Sequence, residues 1–363
     1  MQNRKERTEF FRRLGWGVFT HYIQPTDPET PGDTRSGYMP YKTWNDRVNR
    51  FDTDRYAKTL HEIGAHYAFF TLMQGTRYFC APNETYDRLV GFGPGEACSE
   101  RDLVADLIAS LKKYDIPLFL YYTGDGPYKE RAVSEKFDWP SREEGPVTES
   151  FVTKWTDVMK EYAIRYGKDV KGWWVDGCYE WMGYTDALLR PYREAMLAGN
   201  PDAIIAFNNG IAQPNLDDPA VAHLIAEEPY GMKQIRLLET AVEKEPAALR
   251  ALSRRPGKTV RYSAEEDFTA GEDDAFTELP PEGGMVNGSR WHTLSFLGQY
   301  VYYSPIWGGG GWNRLGSRYS GAYMRDYVKK CNARGGVVSI DCYLFDDGSF
   351  DEGQLEVLRQ IEK

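Results

Sequence analysis

The chain has 363 residues, of which 41% are hydrophobic and 14% aromatic, enough for one large core and within the range of a (β/α)8 barrel with loop insertions. Acidic residues outnumber basic ones, 54 against 44, for a net charge of −10, and no Lys/Arg run stands out; a nucleic-acid partner is not expected, because phosphate would be repelled. No apolar run reaches the roughly 18 residues of a membrane span, and the charged start Met1-Gln-Asn-Arg-Lys-Glu-Arg leads into no apolar stretch, so no membrane partner is expected and the compartment and oligomeric state stay open.

In chain order, apolar runs alternate with amphipathic stretches at the spacing of βα units. The candidate strands are Trp16 to His21, His66 to Leu72, Pro117 to Tyr122, Gly172 to Asp176, Ala203 to Phe207, Ala222 to Ala226, Thr259 to Ser263 and Gly336 to Asp341. Helical patterns fall between them: Asp54 to Ile63, Arg101 to Tyr114, Glu149 to Tyr166, Thr185 to Ala198, Met232 to Arg254, Tyr319 to Asn332 and Glu352 to Ile361. In the second of these, Leu103, Val104, Leu107, Ile108 and Leu111 form a packing stripe, with Ser99 available as a cap and Asp102 in the first turn. Long polar loops, Gln24 to Tyr41 and Glu266 to Asn287, follow the first and seventh strands, and Trp307-Gly-Gly-Gly-Gly-Trp312 is too glycine-rich to read as regular structure. No linker or repeat divides the chain, so residues 1–363 are read as a single α/β domain of the TIM-like (β/α)8 class.

The five cysteines are odd in number and lack CxxC spacing, and the five histidines, at 21, 61, 66, 223 and 292, form no HxH or HxxxH pair. Neither a metal nor another cofactor is expected. The ten Trp and 25 Tyr suit either core filling or stacking on the apolar faces of sugars.

The segment Gly172-Trp-Trp-Val-Asp176-Gly-Cys-Tyr179 closes an apolar strand on a carboxylate, and in a parallel barrel the carboxyl ends of the strands carry the chemistry. Hydrolysis of a glycoside needs a second carboxyl group from another strand end. Glu227 and Glu228, Glu265 and Glu266, and Glu272 all follow candidate strands, and the residues alone do not rank them.

Several blocks make the chain resemble the retaining α-L-fucosidases of the glycoside hydrolase family 29 type, as a divergent member. Gly15-Trp-Gly-Val-Phe-Thr-His21-Tyr is similar to that family's opening strand, whose terminal His contacts the sugar. Phe51-Asp-Thr-Asp-Arg-Tyr-Ala-Lys with Ile63-Gly-Ala-His-Tyr-Ala-Phe-Phe-Thr71 resembles the next unit, and Arg101-Asp-Leu-Val with Pro117-Leu-Phe-Leu-Tyr-Tyr122 the third. Trp174-Val-Asp176-Gly looks like the nucleophile strand, and Gly335-Gly-Val-Val-Ser-Ile-Asp341 with Asp347-Gly348 like the closing strand and turn. The resemblance implies Asp176 as nucleophile. It favours Glu272, in Asp267-Phe-Thr-Ala-Gly-Glu272, as acid/base over Glu228 and Glu266.

One block departs from the family: Leu72-Met-Gln74-Gly-Thr-Arg77-Tyr-Phe-Cys80 stands where a Lys-His-His-Asp-Gly run is usual, which changes the donor and acceptor pattern offered to sugar hydroxyls. The family's C-terminal β-sandwich is not expected either. His21, Trp44, Gln74, Arg77, Trp174, Asn208, Trp291 and His292 are the residues expected around the sugar, with His61, His66 and His223 structural. The expected activity is a retaining exo-glycosidase of the α-L-fucosidase kind on an oligosaccharide or glycoconjugate. The alternatives are a fucose-like sugar such as an α-L-galactoside, and a non-catalytic carbohydrate-binding barrel.

Overall fold

The computed structural model describes residues 4–23, 43–139, 145–210, 259, 261–299, 301–304 and 308–362. The loop 24–41, the candidate strand 222–226, the candidate helix 232–254, His223, Glu227, Glu228 and Trp307 lie outside them.

Among the described residues, seven parallel strands form one curled sheet: β1 (Trp16–Thr20), β2 (Ala68–Thr71), β3 (Leu118–Thr123), β4 (Val170–Asp176), β5 (Ile204–Phe207), β6 (His292–Phe296) and β7 (Val337–Cys342). Their order is β5-β4-β3-β2-β1-β7-β6, so first and last strands of the chain lie side by side, as in a TIM-like barrel. Parallel neighbours cannot be joined by a tight turn, and helices supply the crossovers. These are α1 (Thr53–Glu62), α2 (Leu103–Lys112), α3 (Glu149–Tyr166), α4 (Asp186–Leu197) and α5 (Gly321–Ala333), and a further helix, α6 (Glu352–Leu358), follows the last strand. Most start on a side chain that accepts from the first-turn backbone: Asp52 from Arg55 N–H, Asp102 from Ala105 N–H, Thr148 from Phe151 N–H, Ser320 from Tyr323 N–H and Asp351 from Gln354 N–H. Each such cap is worth about 1 kcal/mol. Asp102 thus takes the capping role expected of Ser99, whose hydroxyl donates to Arg101 O instead.

Alternate strand residues face opposite sides, and the sequence fills both. Val18, Ala68, Phe70, Leu120, Tyr122, Trp173, Val175, Ile205 and Ile340 pack outward against the helices. Phe19, Tyr67, Phe69, Phe119, Tyr121, Trp174, Ile204, Ala206, Leu294 and Val337 fill the barrel. Rings this large fit because other strands contribute no side chain at the same level. A Cβ on Gly17 would lie 2.5 Å from the Tyr67 ring, and one on Gly172 2.7 Å from the Phe119 ring. From below, Phe11 of the short helix Glu9–Leu14 plugs the barrel against Tyr67, Phe119 and Phe268, with ring centroids 5.0–5.2 Å apart.

The edges of the sheet, β5 and β6, are joined by an irregular segment, residues 267–273. On one side Asp267 N–H and Phe268 N–H donate to Ile205 O; on the other, Thr269 N–H donates to Arg290 O, Leu294 N–H to Gly271 O and Asp273 N–H to Leu294 O. It is not a regular strand because the Thr269 hydroxyl inserts into the ladder, accepting from His292 N–H and donating to His292 O, both at 2.9 Å. Gly271 then turns through φ +62°, passing so close to β6 that a Cβ would sit 1.8 Å from His292 O.

Three expectations change here. Thr259 and residues 261–263 form no strand: Tyr262 N–H is taken by Glu266 and the Ser263 hydroxyl by Asp186, so this backbone turns on side chains and segment 267–273 occupies the barrel position. The run after Trp291, which is among neither the candidate strands nor the candidate helices, is β6, with His292, Leu294 and Phe296 at alternate positions and Thr293 and Ser295 between them. Gly308–Gly310, read as irregular, pairs antiparallel with Val301–Ser304. No helix among the described residues is long and apolar enough to cross a membrane, and all five cysteines are buried and unbridged.

Candidate active site

The inward positions at the carboxyl ends of the strands converge. β4 ends at Asp176, where Gly177 takes φ +67° and passes the Asp125 carboxylate so closely that a Cβ would lie 2.5 Å away, which explains the glycine behind the acid. Tyr121, cross-strand neighbour of Trp174, donates its hydroxyl to Asp176 Oδ2 at 2.7 Å. Burial, with the Asp176 charge second, pushes the Tyr121 phenol well above its ordinary pKa, so it remains a donor. The Tyr179 hydroxyl reaches Asp176 Oδ1 at 3.3 Å.

Asn208, one residue past β5, links the two carboxylates. Its Nδ2 donates to Asp176 Oδ1 at 2.8 Å and to Glu272 Oε2 at 2.5 Å. Two oxygens bound to one nitrogen can be no farther apart than those two lengths laid end to end, about 5.3 Å, which is short of the roughly 6.5–9.5 Å separation associated with inverting chemistry. Gly271 is what delivers Glu272 there. The tight turn carries the segment past β6, and the Trp174 indole N–H ties the preceding Ala270 O to β4 at 3.0 Å.

On the opposite wall His21, just past β1, bonds through Nδ1 to Asp341 Oδ1 of β7 at 2.7 Å. Its ring lies edge-on to Tyr121 (5.8 Å) and to Trp312 (6.0 Å), itself edge-on to Phe296. Aromatic rings and an imidazole thus stand next to the paired carboxylates, an arrangement suited to a polyhydroxylated ring with an apolar face.

Of the residues expected at the site, the structure brings together Asp176, Glu272, Asn208, His21 and Trp174. Trp174 is 2% exposed and stacks on Tyr121, so it backs the site from beneath. Trp44 is a correction: it is buried, with its indole N–H on Phe79 O at 2.7 Å and its ring against Tyr22. Trp291 and His292 are corrections too. Both are fully buried at the amino end of β6, and His292 spends its ring nitrogens on Thr269 O, Ala270 O and the Ser339 hydroxyl, with burial holding its pKa down at about 4. Arg77 is tied to Glu130 through its backbone N–H and Nε and lies over the Phe92 ring, in contact with neither carboxylate. Gln74 is half-buried in the same loop and makes no hydrogen bond among the described residues.

Glu266 is fully buried and accepts from Tyr262 N–H, away from Asp176; Glu265 pairs with Arg190. Tyr121, Tyr179, Trp312 and Asp341 were not anticipated as site residues. Period-two counting from Asp176 and its register partner Thr123 back to Trp174 and Tyr121 signals the first, and the terminal position of Asp341 in Val-Val-Ser-Ile-Asp signals the last.

Paired carboxylates at the carboxyl face of a TIM-like barrel define a glycoside-hydrolase type of site. The α-L-fucosidase family model matches residues 33–213, in agreement with the resemblance drawn from the sequence. No curated protein matches the chain. In fold it is similar to an α-L-fucosidase of family 29 from Bacteroides thetaiotaomicron (14% identity, TM-score 0.58, covering 99% of this chain and 73% of that one). It is also similar to α-L-fucosidase isoenzyme 1 from Paenibacillus thiaminolyticus (18%, 0.57, 99% and 75%) and to an endo-fucoidan hydrolase of family 107 (13%, 0.63, 99% and 53%). The chain spans about half the length of that fucoidan hydrolase.

Proposed function

We propose that the protein is a retaining exo-glycosidase of the α-L-fucosidase type, its residues 1–363 one catalytic domain acting on an oligosaccharide or glycoconjugate. The observation that carries this reading is the single Asn208 amide bridging Asp176 and Glu272, which holds an oxygen of each closer than the roughly 6.5–9.5 Å spacing of the inverting mechanism. Asp176, with three neutral donors aimed at it, is the acceptor-only carboxylate that attacks the anomeric carbon. Glu272 protonates the departing oxygen, then takes a proton from water as the glycosyl ester is released. A family 29 fucosidase of similar fold has been trapped as a covalent intermediate with 2-fluoro-fucosyl fluoride, which supports the same order of events here.

A second reading keeps this chemistry and changes the sugar to another fucose-like one, such as an α-L-galactoside. It is favoured by Arg77 being held on Glu130 where the family offers paired imidazoles. Both readings are tested with aryl α-L-fucoside and α-L-galactoside and the Asp176→Gly variant. We expect turnover by the native chain, its loss in the variant, and rescue by azide with a glycosyl azide of inverted anomeric configuration. Binding of sugars with no turnover of any glycoside would leave a carbohydrate-binding barrel in place of an enzyme.

A further inference from the structure

Asp341 is 1% exposed, and its two oxygens do different work. Oδ1 faces His21 Nδ1 at 2.7 Å, while Oδ2 accepts the backbone N–H of Asn313 at 2.8 Å. Asn313 sits at φ +51° directly after Trp312, so one carboxylate anchors both the imidazole and the turn presenting the indole beside it. A carboxylate can only accept, so in the neutral imidazole the proton must be on Nδ1. Nε2 is then a bare acceptor. It makes no hydrogen bond among the described residues, and the His21 side chain keeps 11% exposure.

We propose that Asp341 is a positioning residue that holds His21 as its Nδ1–H tautomer, so that Nε2 accepts a hydrogen bond from a hydroxyl of the bound sugar. The tautomer follows from the dyad alone; the role toward sugar rests on the glycosidase reading. A substitution that inverts the arrangement also follows. In Asp341→Asn the single oxygen is claimed by Asn313 N–H, which turns the amide N–H toward His21 Nδ1, makes Nδ1 the acceptor and moves the ring proton to Nε2.

The test is nitrogen-15 NMR of the full chain labelled at histidine, with the His21 signals identified by their absence from His21→Gln. In the native protein at a pH where the ring is neutral, a pyrrole-type Nδ1 and a pyridine-type Nε2 are expected, exchanging types in Asp341→Asn. A native Nε2–H tautomer, or no exchange in a folded Asp341→Asn, overturns the proposal. Should that variant fail to fold, the native spectrum still decides the tautomer. Toward substrate, Asp341→Asn should raise KM for the cleaved glycoside roughly 5- to 150-fold with a smaller change in kcat, the range for mispairing one buried polar group; an unchanged KM overturns the binding role. Absent turnover with the expected tautomer defeats the glycosidase reading alone, and turnover with the opposite tautomer defeats this one alone.

Discussion

Asp176 and Asp267 lie at opposite ends of the same barrel and are held by different chemistry. Asp267 opens the segment that joins β5 to β6, is fully buried, and is surrounded by Arg4, Arg7 and Arg193 while also accepting Ile205 N–H. Asp176 is half-buried and, among the described residues, its carboxylate is met by two hydroxyls and an amide. Cations around Asp267 saturate its oxygens and lock the amino-terminal helices and α4 to the barrel, which leaves it nothing to react with. Neutral donors orient Asp176 without cancelling its charge, so the carboxylate stays available to an electrophilic carbon.

The largest effect that would sharpen this contrast is on rate. Asp176→Asn should cut kcat/KM on the cleaved glycoside by about 10⁴-fold while shifting unfolding free energy by no more than ~1 kcal/mol. A comparable stability loss in urea would make Asp176 a structural acid and break the contrast. Asp267→Ala should do the reverse. With three arginines left around an empty site, urea unfolding should show a loss of about 3–5 kcal/mol.

A smaller effect depends on pH. Burial pushes the Glu266 carboxyl, beside Asp267, up to about 8 from an ordinary 4.5. Folded, it keeps a proton that the unfolded chain releases, so the stability it contributes is full below pH 4.5 and is lost as pH rises through 8. Glu266→Gln should remove that slope, about 1.4 kcal/mol per pH unit at most, from unfolding curves taken across the window. An identical slope in the variant would place the titration elsewhere. Smallest of all, Tyr121→Phe deletes one of the three donors on Asp176 and should lower kcat/KM roughly tenfold with little change in thermal midpoint.

Local pattern carried much of this fold. Glu149–Tyr166 is a helix over the whole span its periodicity marks, and six strands fall on apolar runs, because an inward and an outward face must both be buried in a parallel barrel. β6 was missed for a local reason: Thr293 and Ser295 interrupt the continuous apolar run by which the other strands are recognised. Asp176 was legible from its own strand, as an acid after buried apolar residues and before a glycine. Trp44, Trp291 and His292 misled because aromatic and imidazole side chains serve cores and ligands equally, and only packing separates the two uses.

The sequence by itself determined the α/β barrel, the strand end bearing Asp176 and the resemblance to fucosidases, all of which reside in short-range pattern. Only the tertiary structure decided which second carboxylate faces it, since residues 176, 208 and 272 meet through one amide across three different staves. The same holds for the Asp341–His21 dyad, 320 residues apart in sequence and 2.7 Å apart in space. Hydrogen bonds of that kind depend on the register of distant strands, which is set by the packing of the whole barrel interior and written in no local run of residues.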